Sequence, residues 1–304
     1  MQAVAEVLRP VRVFSPPGPK PFSGFSYVNF VDEESAALAM ADECVSNQQL
    51  SSALAFSFPG NGRRAFAQRV AAALYGRGFD VIWVDVQALI ARKGEAVRRD
   101  LRQVRERLGS RPRPVLLVVN GVDLIDVGLK NNGALTDVHG LLDGCFGGRY
   151  PPPLLVLATA KSPGAAMKSL PRNTGLLYFP WPREKKAAEL LQLAGIPESS
   201  RVAKELFSLA DSNGARYTTG SLINAAKEAM RIAADRLGGM TPQERAQITV
   251  DLCTPTPKEE AEKYERANKR YIEKAQLSVE PVGTALRPTT RAIVASTMPA
   301  IATD

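Results

Sequence analysis

Ser57-Phe58-Pro59-Gly60-Asn61-Gly62-Arg63-Arg64 decides the reading of this chain. The stretch lies between the apolar run Leu54–Phe58 and the helical run Ala65–Tyr75. A strand that passes through a glycine-rich turn straight into a helix is the frame of a phosphate-binding loop. Small residues let backbone N–H groups approach an anion at the helix start. In the working form, G-x-x-x-x-G-K-S/T, the lysine neutralises the β- and γ-phosphates and the hydroxyl ligates magnesium. Here Ser57 replaces the first glycine, Arg63 the lysine and Arg64 the hydroxyl. The frame is kept and its chemistry is changed. Arg63 still offers positive charge, but a planar fork on a longer stem does not replace lysine's compact ammonium.

Outward from the loop, strands and helices alternate. Strands are expected at Phe25–Val31, Leu54–Phe58, Val81–Val86, Val115–Val119, Leu154–Ala158 and Leu176–Phe179. Helices are expected at Asp32–Cys44, Ala65–Gly76, Gly94–Leu108 and Leu135–Leu142. Val115–Val119 is apolar without interruption, the mark of a strand buried on both faces. Alternation of this kind predicts an α/β fold, a parallel sheet covered by helices on both sides. After Pro182 only helical periodicity remains, at Arg183–Ala194, Ser200–Ala210, Gly220–Leu237 and Pro242–Leu252. Thr241-Pro242-Gln243-Glu244 and Thr256-Pro257-Lys258-Glu259 carry helix-start signals. Four units follow: a proline-rich N-terminal arm (1–24), an α/β part (25–182), a small helical lid (183–253), and a charged helix with an extended C-terminal tail (254–304). The charged helix is expected at Glu259–Gln276, and the tail is expected to be ordered only by a partner.

Composition narrows the function classes. The net charge of +8 over 304 residues favours acidic partners, nucleic acid among them, or simply a solvated basic surface. Cys44, Cys145 and Cys253 are far apart and form no C-x-x-C pair, which argues against a disulfide framework or a zinc site. His139 is the single histidine, so multi-histidine metal chemistry is excluded, and it reads as a helix-surface residue. No apolar run reaches about 18 residues, so no transmembrane span is expected. The N-terminus is not a secretory signal. These features fit an intracellular, reducing compartment, either cytoplasm or an organelle matrix.

A second constellation is Val115-Leu116-Leu117-Val118-Val119-Asn120-Gly121-Val122-Asp123. Phosphoryl transfer uses an apolar strand ending in carboxylates to hold magnesium and orient water. Here the strand ends in Asn120 and Gly121, and neither is a carboxylate. Asp123 lies beyond those positions and reads as a cap or ion-pair residue.

Taken in order, residues 50 to 235 resemble the AAA clade of the AAA+ ATPases. Pro59-Gly60-Asn61-Gly62-Arg63-Arg64 is similar to that family's P-P-G-T-G-K-T. Gly94-Glu95-Ala96-Val97-Arg98-Arg99-Asp100-Leu101-Arg102 resembles its G-E helix, and Asn120-Gly121-Val122-Asp123 stands where D-E-x-D is expected. Leu135 to Gly144 resembles L-L-x-x-L-D-G. Leu155 to Pro163 is like V-I-A-A-T-N-R-P, and Phe179-Pro180-Trp181-Pro182 is like V-P-L-P. Tyr217 to Ala229 is similar to the F-S-G-A-D-L-x-N-L-x-x-E-A of the lid. The resemblance implies a P-loop AAA+ sheet followed by a helical lid. It assigns nucleotide contact to Pro59, Gly60, Asn61, Gly62, Arg63 and Arg64.

The departures imply loss of chemistry. Lysine and hydroxyl become Arg63 and Arg64, the carboxylates become Asn120 and Gly121, and the water-positioning sensor asparagine becomes Ala160. Ala91-Arg92-Lys93 lacks the aromatic that grips substrate in the family's pore. Arg172 aligns with the first arginine-finger position, which serves the neighbouring subunit's site, while the second position is Gly175. The expectation is a pseudo-ATPase that works as a scaffold subunit of an assembly, with other protein subunits, related AAA+ proteins among them. It would carry no catalytic residue, no metal, and either no cofactor or ATP/ADP bound without turnover. The alternatives are a nucleotide-binding module, a weak divergent ATPase using Asp123 or Asp126, and a basic nucleic-acid binder. For the last, Ser23 to Phe30 resembles an RNA-recognition strand in which Phe25 and Tyr27 would stack on bases.

Overall fold

The computed structural model describes residues 11–14, 31–92, 94–110, 113–128, 133–236 and 239–278. Among the described residues, six strands form one sheet: β1 (Val11–Phe14), β2 (Leu50–Phe56), β3 (Asp80–Asp85), β4 (Val115–Asn120), β5 (Leu154–Ala160) and β6 (Gly175–Tyr178). Their spatial order is β1-β3-β4-β5-β2-β6. The five strands from β3 to β6 run parallel, and β1 pairs antiparallel with the outer edge of β3, Val11 opposite Val84. The N-terminal arm therefore contributes a strand to the sheet. An antiparallel edge strand suits this part, because it needs no helical crossover.

Side chains alternate across a strand, so each parallel strand feeds two cores. Val115, Leu117 and Val119 of β4 enter one buried layer, with Ile82, Val156 and the helices 94–109 and 133–146. Leu116 and Val118 enter the other, with Val81, Leu155 and the helices 31–46 and 63–76. Burial on both faces explains the absence of polar residues from Val115–Val119, since each large apolar side chain removed from water contributes about 1.5–3 kcal/mol.

The third core is the lid. Helices Glu184–Leu193, Ser199–Asn213, Thr219–Asp235 and Pro242–Leu252 bury Leu190, Leu191, Leu206, Leu222, Ala226 and Val250 among themselves. The capping signal at Thr241 is realised: Glu244 N donates to Thr241 Oγ1 at 3.2 Å, and Thr241 N donates to Glu244 Oε2 at 2.8 Å. The signal at Thr256 has another use. Its backbone pairs with Arg216 in both directions, and the helix begins at Lys258.

Other expectations shift. Helix 63–76 begins at Arg63 rather than Ala65, so both loop arginines lie in its first turn. Of the strand expected at Phe25–Val31, residues 25–30, with the stacking pair Phe25 and Tyr27, lie outside the described residues, and Val31 opens the helix Val31–Ser46. The tail 279–304 also lies outside them. The C-terminal helix, Lys258–Ser278, packs against β6 and the short helix Pro163–Ala166. It buries Ala261, Tyr264 and Ala275 in the first core layer. Every fourth or third residue of an otherwise charged helix is enough to seat it on the sheet.

Candidate functional site

β2 lies between β5 and β6 while the chain leaves it toward β3, so the strand order reverses beside its carboxyl end, where α/β sheets form crevices. The loop Ser57–Gly62 starts there. Asn61 N donates to Phe58 O at 3.2 Å, closing the turn. Gly60 and Gly62 have φ of 91° and 86°, left-handed values that cost a side-chain-bearing residue strain. Gly62 caps helix 63–76 with no side-chain bond, so no side chain competes for the N–H groups of its first turn.

Arg63 does not extend from this loop into solvent. Its Nη1 donates to Ser57 O at 2.9 Å, folding the guanidinium across the loop. Burial pulls the Arg63 guanidinium below its ordinary pKa, and attraction to Asp123 and Tyr264 opposes that pull. Arg64 turns the other way, and its Nη2 lies 3.2 Å from Asp85 Oδ2.

Sheet register explains what Arg64 meets. Asp85 stands opposite Asn120, and Asn120 opposite Thr159, at the ends of β3, β4 and β5. Asn120 Nδ2 donates to Asp85 Oδ2 at 3.1 Å, and Thr159 Oγ1 donates to Asn120 Oδ1 at 2.7 Å. Asp85 Oδ1 accepts from Ala88 N at 3.2 Å, capping helix 86–90. The carboxylate is buried and each oxygen is engaged. Asp123 Oδ2 accepts from the backbone N–H groups of Lys161 and Ser162 at 3.2 and 3.1 Å. It ties β5's end to the start of helix 123–128, so the cap-like role expected of it is played on a neighbouring strand's backbone. Asp126 lies in the same helix.

This arrangement does not fit magnesium bound with a triphosphate. The loop hydroxyl and the strand-end carboxylates are replaced, Asp85 is paired with Arg64, and Asp123 Oδ2 is engaged by two backbone N–H groups. Among the described residues no group of three or more His, Cys, Asp or Glu could hold a metal. Ala160 pairs with Phe56 in register and has no polar group to place a water.

The lid meets the loop directly. Gly220 N donates to Gly60 O at 2.8 Å, and Thr219 N donates to Asn61 Oδ1 at 3.3 Å. The fit demands glycine on both sides: a Cβ on Gly60 would stand 2.8 Å from Thr218 Oγ1, and one on Gly220 would stand 3.0 Å from Gly60 O. A groove of about 510 Å³ remains beside this contact, lined by Gly60, Thr218, Gly220, Ser221, Asn224 and Glu228. Thr218 and Ser221 cap the lid helix reciprocally, so its entry angle onto the loop is fixed by sequence.

The far side of the loop is walled by aromatics. Phe58 lies 4.5 Å from Trp181 and 5.4 Å, edge to face, from Tyr264, measured between ring centroids. Trp181 Nε1 donates to Glu265 Oε1 at 3.1 Å, and Arg216 Nη1 donates to the same oxygen. Burial raises the Tyr264 pKa far above the usual phenol range, and its hydroxyl has no hydrogen-bond partner among the described residues. The Arg216–Glu265 pair is part-exposed and worth about 0–1 kcal/mol. Ring burial at roughly 1.5–3 kcal/mol per large side chain dominates the seating of the helix. The loop residues form one turn from which Arg63 and Arg64 are directed apart, and the roles of Trp181, Tyr264 and Glu265 beside it were not found from sequence. The low hydrophobicity of residues 258–278 conceals Tyr264 and Glu265, and the helical spacing of Ala261, Tyr264, Tyr271 and Ala275 is the signal that could have marked the buried face.

The remaining expected residues lie apart. Arg172 sits exposed in the turn before β6. Arg92 pairs with Asp100 at 2.7 Å, and Lys93 lies outside the described residues. His139 lies on helix 133–146, its Nδ1 2.8 Å from Asp143 Oδ2. All three cysteines are buried, and none is joined in a disulfide.

No family model matches the chain, and no curated protein matches it in sequence. Solved structures do match. The AAA domain of FIGL-1, in complex with ADP, aligns over 89% of this chain and 96% of its own, with TM-score 0.64 and 14% identity. Katanin aligns over 90% and 97%, with TM-score 0.59 and 13% identity. A chain of the Escherichia coli MS115-1 HORMA:CdnC:Trip13 complex aligns over 81% and 95%, with TM-score 0.58 and 15% identity. At such identities the likeness is one of fold. The chain has the fold of an AAA domain, a phosphate-loop α/β sheet followed by a helical lid, with two arginines at the turning point of its loop.

Proposed function

We propose that this chain is a non-hydrolysing AAA-fold subunit that serves as a structural member of a multi-subunit protein assembly. One observation carries the reading. The side chains at the loop's lysine and hydroxyl positions and at the end of β4 are committed to the protein's own groups: Arg63 to Ser57 O, Arg64 to Asp85, and Asn120 to Asp85 and Thr159. Phosphoryl transfer draws its rate from placed charges around the transferring group. With those charges spent internally, the fold's remaining asset is its shape. The katanin structure concerns self-assembly and the Trip13 structure is of a complex. An AAA fold packing against related subunits is the reading those neighbours support. Exposed Arg172 is the side chain we assign to a neighbour's site.

A second reading is nucleotide binding without turnover. It is favoured by the left-handed Gly60 and Gly62 and by the uncapped first turn of helix 63–76, an anion site in backbone geometry. The relative with ADP bound supports it too.

Native mass spectrometry of the protein purified from its own cells tests both. A defined complex with no nucleotide on this chain is the expected result. A free monomer carrying ADP or ATP would overturn the scaffold reading, and Arg63→Ala should then weaken the nucleotide. Phosphate release from ATP above background would overturn the claim of inactivity.

A further inference from the structure

We propose that helix 258–278 is a built-in clamp that joins the lid, the hinge and the phosphate loop, the joining that a nucleotide bound between sheet and lid would otherwise supply, and that it holds the loop closed against nucleoside triphosphates. The proposal deepens the non-hydrolytic reading of the loop and rests on it.

Three contacts made by two adjacent residues carry the inference. Tyr264 packs edge-to-face on Phe58, which belongs to the loop. Glu265 accepts from Trp181 Nε1, in the segment linking sheet to lid. The same oxygen accepts from Arg216, at the entry to lid helix 219–235. Arg216 is fixed a second time, because its backbone pairs with Thr256 just before the clamp helix begins. Arg216 also lies over the Trp181 ring, 5.8 Å from its centroid, so lid and hinge are tied through the same residues.

The helix is also anchored to β6 and to the short helix Pro163–Ala166. Tyr271 lies against Gly164, its Cε2 within 3.6 Å of where a Cβ would stand, and Ala261 and Ala275 are buried. A helix fixed at the sheet and bonded to the lid resists their separation. The lid-to-loop bonds, Gly220 N to Gly60 O and Thr219 N to Asn61 Oδ1, are those that separation would break. The Tyr264 hydroxyl is buried and has no hydrogen-bond partner among the described residues. The wall Tyr264 forms with Phe58 and Trp181 encloses the side of the loop to which Arg63 is folded.

The test uses the full chain and reads hydrogen exchange of the Gly220 amide together with calorimetric titration of ADP and of ATP. The unaltered protein should protect Gly220 and bind neither nucleotide. In Tyr264→Ala/Glu265→Ala, Gly220 exchange should accelerate by roughly tenfold or more, a local opening distinct from global unfolding, and binding of ATP and ADP should appear. Unchanged Gly220 exchange in the folded double variant overturns the clamp, as does ATP binding by the unaltered protein with the variant's affinity. If the double variant does not fold, Tyr264→Leu keeps an apolar side chain in the core and removes the ring contact with Phe58. It should still accelerate Gly220 exchange, and no change overturns the proposal. Phosphate release by the unaltered protein would instead sink the non-hydrolytic reading, with Gly220 exchange still judging the clamp.

Discussion

Arg64 Nη2 lies 3.2 Å from Asp85 Oδ2, and Asn120 Nδ2 reaches the same oxygen at 3.1 Å. A guanidinium and an amide thus converge on one buried carboxylate, at the level of the sheet where a hydroxyl and a second carboxylate are expected. Both differences from the working loop shift charge the same way: Asn120 brings no negative charge and Arg64 brings a positive one, so the Asp85 carboxylate is compensated.

Arg64→Thr removes that compensation. Arg64 is half-exposed, so solvent takes over part of its role, and the loss is expected to be about 1–2 kcal/mol. Urea unfolding at neutral pH reads it as a lower midpoint with unchanged slope.

Asn120→Asp sets two carboxylates in contact and turns a donor into an acceptor. A loss of about 1–3 kcal/mol is expected, because Asp85 loses a buried hydrogen bond and gains a like charge. Thermal unfolding at pH 7 should show the deficit as a lower Tm.

Gly60→Ala meets two obstacles, a φ of 91° and a Cβ 2.8 Å from Thr218 Oγ1. Together they should cost about 1–3 kcal/mol. Gly78→Ala is the control: its φ is 89° with open space around it, so it should show the backbone strain alone and a smaller fall in midpoint.

Alkali should weaken the fold in two steps. Burial pushes Cys253 up to about 11 and Tyr178 up to about 12. The folded state prefers both groups protonated, so their contribution is complete below the unfolded values, near 9.0 for the thiol and 10.0 for the phenol. It is lost as pH rises through the folded values. Stability should therefore decline from about pH 9 to 12, and Cys253→Ala should remove the part that begins lowest. Denaturant midpoints across pH 8 to 11, with and without the substitution, check this.

Much of the fold could be read along the chain because its signals are local. The uninterrupted Val115–Val119 has to be covered on both faces, and Thr241 with Glu244 specifies a helix start within four residues. The loop between β2 and helix 63–76 was legible for the same reason, since glycines at positive φ leave few alternatives. Pairing was less legible. Val11–Phe14 joins β3 across about 70 residues of sequence, a long-range closure that no local pattern announces.

The sequence by itself determined that this chain builds a phosphate-loop sheet with a lid, and that the residues of the working loop are replaced. Strand periodicity, glycine placement and residue identity are properties of neighbours along the chain. Only the tertiary structure decided where Arg63 and Arg64 direct their charge, because Ser57 O and Asp85 are set against them by loop curvature and strand register. It also decided that a highly charged C-terminal helix belongs over the loop. Tyr264 and Glu265 find Phe58, Trp181 and Arg216 only once sheet, hinge and lid are assembled, since contacts between distant segments depend on packing geometry rather than on local propensity.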